Sequence, residues 1–220
     1  GGKLSNWRSE DEDLQGGGKR SGLSAVREVR DRGAGAIRSG GTTRRAAKMV
    51  CVDVDHPEIE EFIDWKVLEE KKAEALVKAG FSTGLDGEAY RTVSGQNANN
   101  SIRINKKFFS ALARDAKWQL RSRTDRSVLR EVSAKQIWRK MAEAAWHCGD
   151  PGVQFDDTIQ AWNTCALSER INASNPCSEY MFVDDTACNL SSLNLCSYLG
   201  QNQEFLWEDF FHTTRILTIA

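Results

Sequence analysis

Apolar positions along the chain change spacing several times, and each change marks an element. "MVCVDVD" is a short, nearly continuous apolar run and predicts a buried strand. His56-Pro57 then opens a helix, with proline at an early helical position. Ile59, Phe62, Ile63 and Val67 form its buried face, and Glu58, Glu61, Glu69 and Glu70 form an acidic, exposed one. "AGFSTGLDGEAYRTVSGQNANN" is rich in Gly, Asn and Ser and predicts a loop; "SIRI" predicts a strand, and "NKKFFSALARDAK" a helix. "WQLRSR" and "VLREV" read as strands joined by the turn "TDRS". In "SAKQIWRKMAEAAWHC", Ser133 and Gln136 form a capping box, and Ile137, Met141, Ala144 and Ala145 an apolar stripe. "GVQFDD" predicts another strand, followed by loop, a helix from about Ser191, and a last helix marked by Trp207, Phe210, Phe211 and Leu217. Strands and helices alternate without a long-period repeat, which favours an α/β architecture with largely parallel strands. This pattern leaves open whether the sheet closes into a barrel.

Residues 1–48 differ from the rest. Ten of the seventeen glycines precede Thr42, and Lys19–Lys48 holds nine Lys/Arg against two acids, Glu28 and Asp31. "LQGGGKRSG" predicts a flexible loop. "LSAVREVRDRGAGAIRSGG" predicts an amphipathic helix ending at Gly40, with Leu23, Val26 and Ile37 on one side and Gly33 and Gly35 weakening it. The start lacks Met and the last helix meets no stop signal, so the expectation is an internal piece of a longer protein.

Charge and composition narrow the function classes. Hydrophobic residues make up 40% and charged residues 28%, which fits a globular domain rather than a disordered chain. The net charge of −1 argues against a nucleic-acid binder. No apolar run approaches membrane-spanning length and no signal peptide is evident, so no membrane is expected and a cytoplasmic setting is. The six cysteines form no C-x-x-C and do not cluster with the histidines, which argues against a zinc site; no metal ligands are predicted. A secreted disulfide framework does not fit this length, so most thiols are expected buried and a minority reactive.

One stretch carries candidate chemistry. "SNPCSE" has turn and loop character, because Pro176 disfavours helix at Asn175. In an extended segment alternate side chains share a face. Asn175, Cys177 and Glu179 would then present an amide, a thiol and a carboxylate together, a row suited to a substrate with vicinal hydroxyls. The competing reading is a surface loop with a cap-like Asn and a solvated Glu. Downstream, Cys188 is either a second thiol able to supply reducing equivalents or a buried structural cysteine. A cysteine-protease reading needs a histidine base, and nothing in sequence ties His147 or His212 to Cys177.

The blocks "SGGTTRRAAKMVCVDVDHPEIEEFIDWKV", "SGQNANNSIR", "AAWHCGDPGVQFDDT" and "NPCSEYMFVDDTACNLSSLNL" closely resemble the catalytic subunit of adenosylcobalamin-dependent (class II) ribonucleotide reductases. The resemblance runs over nearly the whole chain and is weakest at residues 1–35. It implies part of a ten-stranded α/β barrel with a finger loop threaded through its middle. Within that frame, 1–48 hold the effector and specificity loops and a helix, 49–170 are strand–helix units, 171–190 carry the finger loop and a redox cysteine, and 191–220 are helical. The resemblance makes Cys177 the residue that becomes a thiyl radical, at a buried loop tip. It makes Glu179 the base on the 3′-hydroxyl, Asn175 the amide bonded to substrate hydroxyls, and Cys188 one member of the reducing thiol pair. "GGTTRRAAK" resembles the second specificity loop, which assigns Thr42, Thr43, Arg44, Arg45 and Lys48 to communication with a bound nucleotide. The implied activity is reduction of ribonucleotides to deoxyribonucleotides for DNA synthesis. Its partners are a ribonucleotide substrate, a dNTP or ATP effector, a thioredoxin-type reductant and a second copy of the enzyme.

Departures accompany the match. Arginines occupy "SAVREVRDRGAG" where the family is more apolar, so the effector-side helix is expected to pack atypically. The cobalamin signature D-x-H-x-x-G is absent, so the cofactor rests on resemblance alone. The second redox thiol, the phosphate-binding segment and the C-terminal thiol pair fall outside these residues, which predicts that the 220-residue piece is inactive by itself. The alternatives are a class I large subunit, fed its radical by a separate protein, and a nucleotide-binding regulatory module without catalysis.

Overall fold

The structure is a computed structural model and describes residues 1–10, 12, 17–18, 21–37, 46–84 and 87–219. Two compact units divide the chain, Gly1–Asp184 and Asp185–Ala220.

The first unit runs β1 (Gly2–Lys3), α1 (Gly22–Gly35), β2 (Lys48–Asp53), α2 (Ile59–Lys78), α3 (Glu88–Thr92), β3 (Ala98–Ile104), α4 (Lys106–Ala113), β4 (Lys117–Arg121), β5 (Val128–Ser133), α5 (Ala134–Cys148), β6 (Gly152–Phe155) and α6 (Asp156–Ala161). Strands β1, β2, β3 and β6 form one sheet in that order, every pair parallel. The α/β expectation with parallel strands holds. These four strands are an open sheet, and the ten-strand closure implied by the resemblance is not seen among the described residues. The predicted β4–β5 hairpin is present as a separate antiparallel pair.

The helices follow from their apolar faces. Ile59, Phe62 and Ile63 of α2 and Ile137, Met141 and Ala144 of α5 enter one cluster with Val50, Val52, Ile102, Ile104 and Phe108. Each fully buried large side chain there contributes about 1.5–3 kcal/mol. Caps set the starts of α4 and α5: Asn105 Oδ1 accepts from Phe108 N at 3.0 Å, and Ser133 Oγ accepts from Gln136 N at 3.3 Å. Among the described residues, no helix is long and apolar enough to cross a membrane.

Several expectations change. Two of the four glutamates assigned to the exposed face of α2, Glu58 and Glu69, are buried. Each carboxylate accepts backbone N–H groups that would otherwise be orphaned: Glu58 from Leu23 at 2.7 Å and Glu10 at 3.2 Å, Glu69 from Ser94 at 2.9 Å. Glu58 thereby satisfies the first turn of α1 and places negative charge at its N-terminus. Burial nevertheless pushes its carboxyl up from the ordinary value. Gly22 adopts φ +64° there, and a Cβ would collide with the Glu58 carboxylate and the Glu10 side chain.

Helix α1 ends at Gly35, and Ile37, assigned to its apolar side, is 57% exposed. Of the atypical arginines, Arg27 is absorbed by packing, whereas Arg32 is exposed and donates to the Arg91 and Thr92 carbonyls. Arg27 is 3% exposed and lies 4.5 Å from the Trp65 ring centroid, and desolvation pushes its guanidinium down to about 10. A 3-10 helix at Leu195–Tyr198 replaces the helix expected from Ser191. The second unit otherwise consists of α7 (Trp207–Ile219) and an aromatic cluster joining Tyr198, Phe205, Trp207, Phe210 and Phe211. α3 and α6 lie where no helix was predicted.

Candidate active site

A parallel sheet is ordinarily apolar on both faces because helices cover both. Here alternate positions divide differently. Ala98, Ile102 and Ile104 of β3 enter the apolar cluster beneath the helices. Asn99, Ser101 and Arg103 alternate with them and therefore face the other way, level with Cys51 of β2 and Gln154 of β6. Cys51, Ser101, Arg103 and Gln154 are all buried. What covers that polar face is the segment 171–181.

Side chains of the sheet grip the segment at successive points. The Arg103 guanidinium donates to the Ile171 carbonyl, to Asp156 Oδ1 at 3.2 Å and to Gln154 Oε1 at 2.9 Å. Gln154 Nε2 donates to Ser174 Oγ at 2.8 Å, and Cys51 Sγ lies 3.5 Å from Gln154 Oε1. Burial pushes the Cys51 thiol up from its ordinary value. Asn99 Nδ2 donates to the Pro176 carbonyl at 2.8 Å. Gly1 packs so closely on Ser174 that a Cβ would overlap its carbonyl oxygen.

The segment turns where the resemblance puts the radical residue. Ser174 and Met181 form an antiparallel bridge. Between them Asn175 N donates to Tyr180 O at 3.1 Å, Ser178 N donates to Asn175 O at 3.1 Å, and Ser178 takes φ +65°. The turn expected from "SNPCSE" is therefore present. The extended run on which Asn175, Cys177 and Glu179 would share a face is not, because Pro176 and the left-handed Ser178 fold the chain back. Asn175 is half-buried and its Oδ1 accepts from Tyr180 N at 3.0 Å. Its oxygen is thus committed to the turn, and the amide N–H groups are the part it can offer outward.

Cys177 and Glu179 are exposed. The buried loop tip expected for the radical residue is not found among the described residues: Cys177 is exposed on the 171–181 segment that covers the polar face. Cys188 is also exposed and belongs to the second unit. Its reading as a buried structural cysteine is corrected, as is the expectation that most thiols are buried: of the six, Cys51 alone is.

Thr42, Thr43, Arg44 and Arg45 lie outside the described residues. Lys48 is described and half-buried at the start of β2; its N–H donates to Asn97 O at 2.8 Å, and it pairs with Ala98, next to Asn99. The end of the candidate specificity loop thus meets the sheet at the same end as the Cys177 turn. Reasoning from sequence missed Arg103, Gln154, Ser174 and Asn99 as site residues. The available signal was polar residues at alternate positions in a strand otherwise apolar.

Known proteins resemble the chain throughout its length. A family model described as the ribonucleotide reductase barrel domain matches residues 1–220. The vitamin B12-dependent ribonucleotide reductase of Streptomyces coelicolor is 52% identical over 221 residues, covering 99% of this chain and 23% of that protein. The protein of the same name from Rhodopirellula baltica is 50% identical over 219 residues, covering 99% and 21%. The vitamin B12-dependent ribonucleoside-diphosphate reductase of Thermoplasma acidophilum is 29% identical over 204 residues, covering 91% and 24%. The chain spans about a quarter of the length of these curated relatives.

Proposed function

The chain belongs to the ribonucleotide reductase barrel family, and from that premise we propose that the enzyme carrying it reduces ribonucleotides to 2′-deoxyribonucleotides through a thiyl radical at Cys177. The observation that carries this reading is the Cys177 turn itself. A tight loop, gripped from a buried polar sheet face, presents a thiol at its tip with an amide and a carboxylate two residues to either side. The segment corresponds to the finger loop of the family, and the four parallel strands to part of its barrel wall.

The Cys177 sulfur takes the hydrogen atom from ribose C3′ and becomes a thiol. Glu179 receives the 3′-hydroxyl proton, and the Asn175 amide donates to the substrate hydroxyls, the half of its capacity that the turn leaves available. The 2′-hydroxyl takes one proton from the thiol pair formed by Cys188 and a partner thiol and departs as water. That pair gives two electrons and its second proton to the sugar, leaving a new C2′–H bond and a disulfide; Glu179 returns its proton to the 3′-oxygen, and Cys177 returns its hydrogen to C3′. A thioredoxin-type reductant then restores the dithiol.

The relatives' names carry vitamin B12 dependence, which supports a cobalamin cofactor. In its adenosyl form, once bound, it supplies the initiating radical by homolysis of a cobalt–carbon bond. The exposed thiol at a turn fits a radical donor reaching it from outside the sheet. No residue of this chain is assigned to the corrin. Residues 42–48 act as the specificity loop, coupling a dNTP or ATP effector to the substrate in a homodimer.

The test is the full-length enzyme with adenosylcobalamin and no second subunit. Wild type is expected to form deoxynucleotide, and Cys177→Ser to abolish turnover while effector binding persists. Unchanged turnover by Cys177→Ser removes the thiol from the mechanism, and strict dependence on a radical-donating partner overturns the cobalamin assignment.

A further inference from the structure

We infer that Asn99 is a positioning residue that aims the Cys177 thiol, through its hydrogen bond to the carbonyl of Pro176. This rests on the reading of Cys177 as the radical residue and adds to it a residue outside the finger loop. The Pro176 carbonyl belongs to the peptide plane that joins Pro176 to Cys177. Its orientation is the ψ angle of Pro176, and the proline ring already holds φ. A donor fixed on that oxygen therefore sets the remaining backbone freedom immediately before the thiol. Asn99 Nδ2 supplies the donor at 2.8 Å.

The donor is well anchored. Asn99 lies within β3 and pairs with Met49 of β2, so a neighbouring strand holds its backbone; the β6 pairing begins two residues on, at Ser101. A group mounted on a paired strand is a more exact reference than one mounted on a loop. The other grips act lower on the segment: Arg103 holds Ile171, and Gln154 holds Ser174. Asn99 alone among these three reaches the residue before Cys177. Within "SGQNANN" the neighbouring Asn97 is committed elsewhere. Its N–H donates to Asp31 Oδ1 at 2.8 Å, and its carbonyl accepts from Lys48 N.

The placement matters because hydrogen transfer tolerates little error: misplacing a reacting group by an ångström lowers the rate by about a hundredfold. Loss of the Asn99 bond frees the peptide plane without removing the thiol, the base or the substrate amide.

The experiment uses the full-length enzyme with two variants. Asn99→Asp keeps the shape and presents an acceptor to a carbonyl; Asn99→Ala removes the side chain and serves if the first does not fold. Amide hydrogen exchange at Ser178 and Tyr180 is followed by peptide mass spectrometry, beside kcat and KM. Exchange there is expected to rise by up to about tenfold, the factor carried by one hydrogen bond. In the same variants kcat should fall by about ten- to a hundredfold, with KM within about twofold of wild type. A general structural defect would instead spread faster exchange over the sheet. Unchanged exchange at the turn overturns the inference. So does a faster-exchanging turn with wild-type kcat when Cys177→Ser is inactive. A Cys177→Ser enzyme that turns over normally overturns the radical assignment itself, and the exchange result then still decides whether Asn99 holds the turn.

Discussion

The two faces of the sheet are built on different principles. Beneath the helices, Val50, Val52, Ile102 and Ile104 meet Phe62, Ile63, Phe108 and Ile137 in a close-packed, mostly apolar layer. On the other side, Arg103 and Gln154 are equally buried, yet they bond the Ile171 carbonyl and the Ser174 hydroxyl of a loop, with Cys51 and Ser101 buried beside them. The first arrangement depends on volume and tolerates small shifts in direction. The second depends on donor and acceptor geometry, so it fixes where one chain segment runs. A packed face suits a scaffold and a bonded face suits a site, because directional bonds transmit position.

Substitutions on either side test that distinction. Arg103→Met strips the donor from Ile171 O, Gln154 and Asp156 at once, and is expected to destabilise by about 3–5 kcal/mol in urea unfolding. It should also raise amide exchange across 171–181 selectively. Ile102→Ala, one position away and on the packed face, should destabilise by about 3 kcal/mol without singling out that loop. Matching exchange maps for the two variants would dissolve the contrast.

A smaller effect sharpens it through pH. His56 lies fully buried in the loop between β2 and α2. Its Nδ1 accepts from Glu58 N at 3.1 Å, so Nε2 carries the proton and donates to Trp7 O at 2.9 Å. Desolvation pushes it down to about 4 from 6.5. The unfolded chain takes up a proton near pH 6.5 while the native ring stays neutral, so the contribution is complete above pH 6.5 and is lost as pH falls toward about 4. The slope is about 1.4 kcal/mol for each pH unit. His56→Gln should flatten the wild-type dependence of the urea midpoint in that window, whereas an unaltered slope would assign it to other groups. The smallest effect belongs to the packed side: Ser133→Ala, removing the α5 cap, should cost about 1 kcal/mol in the same assay with the 171–181 loop undisturbed.

Elements with strong periodicity were legible without coordinates. β2, α2 and α5 appear where the apolar spacing puts them, since two or three turns of regular burial outweigh local noise. Ile37 misled because apolar spacing alone does not reveal where a glycine-weakened helix stops. Glu58 and Glu69 misled because a carboxylate on a helix reads as solvated, and only the approach of Leu23 and Ser94 gives it buried donors. The alternation predicted for Asn175, Cys177 and Glu179 failed for a local reason that was partly visible: Pro176 signalled the turn, and a turn is incompatible with an extended row.

Periodicity was sufficient for β2 to β6, α2, α4 and α5 and for the parallel α/β class, because these depend on spacings of a few residues, but it did not give β1, α3 or α6. Long matching blocks were sufficient for the family. Neither could say that Asn99 meets Pro176 or that Gln154 meets Ser174, since those partners are 77 and 20 residues apart. Which polar groups are buried, and what they hold, was decided by folding the chain onto its own sheet, where a side chain acquires its role from whatever the distant backbone brings within 3 Å.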